Sequence, residues 1–200
     1  MNLYPADLAQ SEPIQQNEAV IERRNPCTIW IFGPTSSGKT TIANALLKTM
    51  RAMGEKVILY DGDEIREIFH SDFGFAENDR LKVVNTLIYF ANKTTRAGVF
   101  AIVSALTANP SARDSMKRNL DAVVDVYLDC PISTCIERDP KGIYRKAIKG
   151  EIDTVIGYNL PYLKSSEACL TIDTSVVGVD EAARRVIDYL KLEIPDRERT

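Results

Sequence analysis

An eight-residue run, Gly33-Pro34-Thr35-Ser36-Ser37-Gly38-Lys39-Thr40, sets the tightest limit on the fold of this chain. It matches the pattern GxxxxGK followed by Ser or Thr without a gap. Its flanks narrow the fold further. Residues 27–32 (CTIWIF) form an apolar run that reads as a strand, and residues 39–53 read as an amphipathic helix. Glycines between such a strand and helix let backbone N–H groups turn inward around a phosphate, and the helix N-terminus adds its dipole. In a loop of this kind Lys39 reaches the β- and γ-phosphates of a nucleoside triphosphate, and Thr40 offers its hydroxyl to Mg2+. Gly33, Ser36, Ser37, Gly38, Lys39, Thr40 and Thr41 are therefore the candidate nucleotide-binding residues. A nucleoside triphosphate and Mg2+ are the expected ligands of this loop.

The rest of the chain repeats the strand–helix rhythm. Further strands are predicted at residues 56–60 (KVILY), 99–105 (VFAIVSA), 123–128 (VVDVYL) and 169–172 (CLTI), and helices at 78–97 and 179–192. Gly98 ends the first of these helices. The strands are nearly continuously apolar, which suits a parallel sheet buried on both faces. Five strands alternating with helices predict a doubly wound α/β domain. Trp30, inside the first strand, is expected in the core. Residues 1–25 are polar, with Pro5 and Pro13, and read as a flexible arm ahead of a domain over 26–200.

Composition narrows the functional class. A 200-residue chain with 44% hydrophobic and 26% charged residues is an ordinary globular domain. A net charge of −3 with no basic groove or stacking aromatics argues against nucleic acid or an anionic membrane as partner. No apolar run reaches the roughly 18 residues of a membrane span. The first twenty residues lack both a basic start and an apolar centre, so no signal peptide is expected and a cytoplasmic location is. Four cysteines, Cys27, Cys130, Cys135 and Cys169, form no CxxC unit, and His70 is the one histidine. The cysteines are expected reduced and packed in the core. His70 is expected to make a local polar contact.

Two further stretches carry chemistry. Tyr60-Asp61-Gly62-Asp63 closes the second strand, where ligands of open α/β sheets collect. In an extended chain Asp61 and Asp63 project to one side. One would accept a proton from an acceptor hydroxyl while the other holds Mg2+ through water. Asp63 could equally cap a helix starting at Glu64. The second stretch, Arg138-Asp139-Pro140-Lys141-Gly142-Ile143-Tyr144, continues into Arg145, Lys146 and Lys149. A basic cluster broken by Pro and Gly suggests a mobile lid that closes on polyphosphate and excludes water. A solvated basic helix is the plainer reading.

Together these stretches resemble the adenylylsulfate (APS) kinase family over roughly residues 22–190. The family's lid motif RDPKGLY appears as RDPKGIY, preceded by Cys135 as is common there, and its LDGD as YDGD. Its DLGFSEEDR appears as residues 72–80, DFGFAENDR. The resemblance implies a P-loop nucleotide kinase that transfers the ATP γ-phosphate to the 3′-hydroxyl of APS, giving 3′-phospho-APS (PAPS). By that carry-over Asp63 is the base, Asp61 lies near the metal with Thr40, and Lys39 and Lys141 steady the transferring phosphate. Arg138 joins the nucleotide side. Arg66 and Arg80 hold the acceptor's phosphosulfate or ribose, and Phe75 stacks on its base. A homodimer is expected because relatives are often dimeric.

The departures fall on the acceptor side. Where the family continues ENIRR, this chain has Lys82-Val83-Val84-Asn85-Thr86, so Val83 replaces an amide. The family's ISPFR becomes Thr107-Ala108-Asn109-Pro110-Ser111, with Arg113 close enough to substitute for the lost arginine. FTG becomes Val155-Ile156-Gly157, which makes the second face of the purine sandwich aliphatic. Val83 and Val155 are thus candidate substrate-binding residues. They raise the alternative of a same-family kinase acting on another nucleotide, such as cytidine diphosphate phosphoramidate. A non-catalytic nucleotide-binding regulator is the alternative from another class.

Overall fold

A computed structural model describes residues 25–69, 74 and 76–190. The expected arm, all but its last residue, therefore lies outside the described residues, as do His70 and Phe75. The elements run β1 (Thr28–Phe32), α1 (Lys39–Ala52), β2 (Val57–Asp61), α2 (Gly62–Ile68), α3 (Glu77–Arg96) and β3 (Phe100–Ala105). They continue with α4 (Pro110–Asn119), β4 (Val123–Asp129), α5 (Ile132–Arg138), α6 (Ile143–Ile148), β5 (Leu170–Asp173) and α7 (Val179–Leu190). All five predicted strands are present. They form one parallel sheet in the order β2-β3-β1-β4-β5.

Alternation along β1 builds two cores. Ile29 and Ile31 point to one face and pack with Ile42 and Leu46 of α1 and with Val186 and Ile187 of α7. Trp30 and Phe32 point to the other and pack with Leu87 and Ala91 of α3 and Met116 of α4. Every β1 side chain is thus buried, which a central parallel strand requires and which its unbroken apolar run supplied. Trp30 satisfies its indole by donating from Nε1 to Thr107 Oγ1 at 2.9 Å. Gly98, at φ 76°, lies just past the end of α3 as expected.

A third, smaller core joins Cys130, Cys135, Tyr144, Ala147 and Val155 beneath α5 and α6. It gives the basic lid segment its own support. Cys130 and Cys135 are buried there, but Cys169 is exposed, which corrects the expectation that every cysteine packs inside. Cys169 sits just ahead of β5, an edge strand, so its side chain has no second sheet neighbour to cover it. No helix among the described residues is long and apolar enough to cross a membrane.

Candidate active site

Parallel strands deliver their C-terminal ends to one edge of the sheet, and the loops there supply the site. Between β1 and α1 the chain enters the left-handed region at Ser36 (φ 62°) and again at Gly38 (φ 95°). Gly33 is required for a different reason. A Cβ there would lie 2.7 Å from Leu128 O and 2.9 Å from Ser37 Oγ. The N-cap of α1 is Gly38, with no side chain bonded to the first-turn N–H groups, so the helix end stays available to an anion.

The loop's carbonyls are held by one donor within the loop and two from outside it. Lys39 Nζ donates to Pro34 O at 2.7 Å, Tyr144 Oη to Thr35 O at 3.1 Å and Thr174 Oγ1 to Ser37 O at 2.9 Å. Burial of the Lys39 ammonium brings its pKa down to about 8, although Asp63 and Asp61 oppose the shift and the residue as a whole keeps partial exposure. A desolvated cation held beside two carboxylates is poised to receive phosphate oxygens.

Three strands place three oxygens together. Thr40 Oγ1 donates to Asp61 Oδ2 at 2.7 Å and lies 3.4 Å from Ser104 Oγ, from β3. Hydroxyl and carboxylate oxygens suit Mg2+, which takes few protein ligands and completes its shell with water and phosphate. Among the described residues no cluster of three or more His, Cys, Asp or Glu could form an all-protein metal cage. Thr40 and Asp61 are thus the residues that could hold a magnesium–nucleotide here.

The chain does not stay extended through YDGD. Helix α2 begins at Gly62, and its cap is Asp61, whose Oδ1 accepts from Asp63 N at 2.8 Å. Capping thus falls to Asp61, which corrects the reading of Asp63 as a cap. It also frees the Asp63 carboxylate, exposed on the first turn, to meet Lys141 Nζ at 2.5 Å. That hydrogen bond is the main cause that raises the Lys141 pKa. Arg66 and Arg80 come near one another beside this pair. Burial lowers both pKa values; Asp63 and Asp79 partly offset it for Arg66, while the Arg66 charge lowers Arg80 further. Arg66 donates to Gly74 O, and Arg80 Nη2 to Thr154 O at 2.8 Å.

The chain as a whole has known counterparts. Residues 25–173 match the model of the adenylylsulphate kinase family. The chain belongs to that family. It is 39% identical over 164 residues to a probable adenylyl-sulfate kinase of Pyrococcus abyssi, covering 82% of this chain and 94% of the relative. It is 34% identical over 178 residues to the adenylyl-sulfate kinase of Clostridium acetobutylicum, covering 88% and 89%. Among solved structures, the APS kinase of Mycobacterium tuberculosis in complex with AMPPNP and APS superposes with a TM-score of 0.80 at 28% identity. That match covers 84% of this chain and 98% of the other.

Several acceptor-side expectations of this adenylylsulphate kinase relative change in three dimensions. Val83 faces the core from α3, and Val155 lies in the small core with Tyr144, so neither forms an open pocket wall. Arg113 does not substitute for the lost arginine. It is buried, stacks between Phe32 and Tyr162, and donates to the carbonyls of Thr107, Ala108, Leu163 and Lys164. Ser111 is exposed on α4. Arg138, expected on the nucleotide, donates instead to Thr174 O at 2.5 Å and approaches Cys130 Sγ at 3.6 Å. Thr41 is exposed on the first turn of α1.

Sequence reasoning missed Ser104, Thr174 and the structural part of Tyr144. Ser104 had a signal, as the lone polar residue of VFAIVSA at a strand's C-terminal end. Tyr144 stood in the lid motif, but nothing local showed that its hydroxyl reaches Thr35, 109 residues away.

Proposed function

We propose that this member of the adenylylsulphate kinase family transfers the γ-phosphate of ATP to the 3′-hydroxyl of APS, giving PAPS and ADP. The observation that carries this reading is the meeting of Asp63 with Lys141 beside Lys39, with the guanidinium groups of Arg66 and Arg80 next to it. A carboxylate ringed by cations suits an acceptor that brings both a hydroxyl and an anionic group. The relatives' names and the M. tuberculosis complex with APS support that acceptor.

In the reaction the acceptor oxygen forms a bond to the γ-phosphorus as the bond from that phosphorus to the β–γ bridging oxygen breaks. Asp63 takes the hydroxyl proton, and ADP leaves with the electron pair of the broken bond. Lys39 and Lys141 offset charge on the transferring group. Arg66 and Arg80 orient the acceptor. Thr40 and Asp61 would hold Mg2+, which would supply charge neutralisation on the phosphates. The geometry of the intact Asp63–Lys141 pair argues against the regulator reading, because a nucleotide sensor needs neither group.

The test is an acceptor screen with ATP and Mg2+ in which APS is compared with cytidine diphosphate derivatives and other nucleotides. APS should give the highest kcat/KM, with product phosphorylated at the 3′-position. A pyrimidine acceptor used better than APS would replace this reading, and tight ATP binding with no acceptor at all would revive the regulator.

A further inference from the structure

The loop that cradles phosphate contains its own strain, and the described residues show what opposes it. Ser36 is not glycine yet stands at φ 62°, a conformation that persists only where surroundings impose it. A trans peptide is planar, with its C=O and the following N–H pointing in opposite directions. Holding the carbonyl of one residue outward therefore aims the N–H of the next residue inward. Tyr144 Oη on Thr35 O fixes the N–H of Ser36, and Thr174 Oγ1 on Ser37 O fixes the N–H of Gly38.

Both donors are themselves immobilised. Tyr144 is fully buried in the core under the lid, and its own N–H is bonded to Asp139 Oδ1 at 3.1 Å while Arg145 N reaches Asp139 Oδ2 at 2.9 Å. Thr174 is buried, and its carbonyl is gripped by Arg138. Lys141, which meets Asp63, lies between Asp139 and Tyr144. One short segment thus touches the nucleotide cradle at one end and the acceptor-side carboxylate at the other.

We infer that Tyr144 and Thr174 are positioning residues that clamp the phosphate loop from behind and so set its affinity for the nucleotide's phosphates, with Tyr144 tying that loop to the lid. The inference rests on the phosphate-loop reading given above.

The test uses single changes in the full chain, read by titration calorimetry with ADP and by steady-state kinetics with ATP and APS. Tyr144→Phe keeps the ring in its core and removes only the hydroxyl. It should raise the ADP Kd and the ATP KM by roughly three- to tenfold, the equivalent of one hydrogen bond, with the APS KM within about twofold of wild type. Thr174→Val should act in the same direction, and Thr174→Ser, which restores a hydroxyl, should return ADP affinity to within about twofold of wild type. An unchanged ADP Kd in Tyr144→Phe, a Thr174→Ser variant no better than Thr174→Val, or an APS KM that rises as much as the ATP KM would overturn the clamp. If Tyr144→Phe fails to fold, the Thr174 pair decides alone. Lys39→Ala separates the two readings. Should it leave ADP affinity intact, the phosphate-loop assignment itself is wrong; should it abolish binding while the clamp variants bind normally, only the clamp falls.

Discussion

Thr40 Oγ1 lies 2.7 Å from Asp61 Oδ2, and this contact spans two strands that do not touch. Thr40 stands on the first turn of the helix after β1, Asp61 ends β2, and β3 runs between them, contributing Ser104 Oγ 3.4 Å from the threonine. The strand order therefore assembles a small oxygen cluster beside the phosphate loop. Thr40→Ala or Asp61→Asn should raise the Mg2+ concentration for half-maximal rate by about tenfold, in line with loss of a charged or metal-directed contact. Metal-free binding of ADP, followed by calorimetry in chelator, should change much less for Thr40→Ala. Equal loss with and without Mg2+ would assign Thr40 to the phosphate instead.

The pKa of Lys39, lowered to about 8, gives a pH signature. The free enzyme loses its phosphate-binding cation as pH rises through this value, so kcat/KM for ATP should fall on a basic limb near pH 8. Stability moves the opposite way. The unfolded chain keeps the lysine proton up to about 10.5, so it binds more protons than the folded chain between about 8 and 10.5, and stability rises with pH across that window. Below it the desolvation cost is fully present. Lys39→Met should therefore stabilise the nucleotide-free protein at pH 7 by about 1–3 kcal/mol while abolishing transfer. Thermal melts at pH 7 and pH 10 would show the gap narrowing.

Asp63→Asn keeps the shape of the side chain and removes the proton acceptor. The expected fall in kcat is about 10²–10⁴-fold, with ADP affinity nearly unchanged. Lys141→Ala should lower kcat as well, and by less in the Asp63→Asn background, because the two side chains share one contact. Strictly additive effects on kcat would show that the pair does not act as a unit.

Val155→Phe would put back the aromatic side chain that the family carries there, and the packing opposes it. Val155 sits in a closed core with Cys135 and Tyr144, so a larger ring should overpack it, costing about 1–3 kcal/mol. Val83→Asn buries an amide on the inner face of α3 and should cost a similar amount, about 1–3 kcal/mol. Denaturant melts should show both losses, with no gain in kcat/KM for APS over a pyrimidine nucleotide. A stable double variant with improved APS selectivity would return both positions to the acceptor pocket.

What the sequence determined by itself were the features with a local cause. The glycine-rich run, the apolar strands and the positive-φ glycines act through backbone sterics and burial within a few residues, so residues 27–60 could be placed without knowing anything distant. Asp61, Asp63, Lys39 and Lys141 could be singled out as candidates for the same reason: each stands in a short motif whose spacing encodes its position. The tertiary structure decided the division of labour among them. Asp61 rather than Asp63 became the helix cap because the chain turned into α2 one residue after β2 ended. Whether Val83, Arg113 and Val155 face a ligand or a core depended on which helix or loop packs over them, and those partners lie far along the chain. The same distance hid Tyr144 and Thr174. A hydrogen bond across 109 or 137 residues leaves no trace in local pattern, because folding alone brings its two ends together.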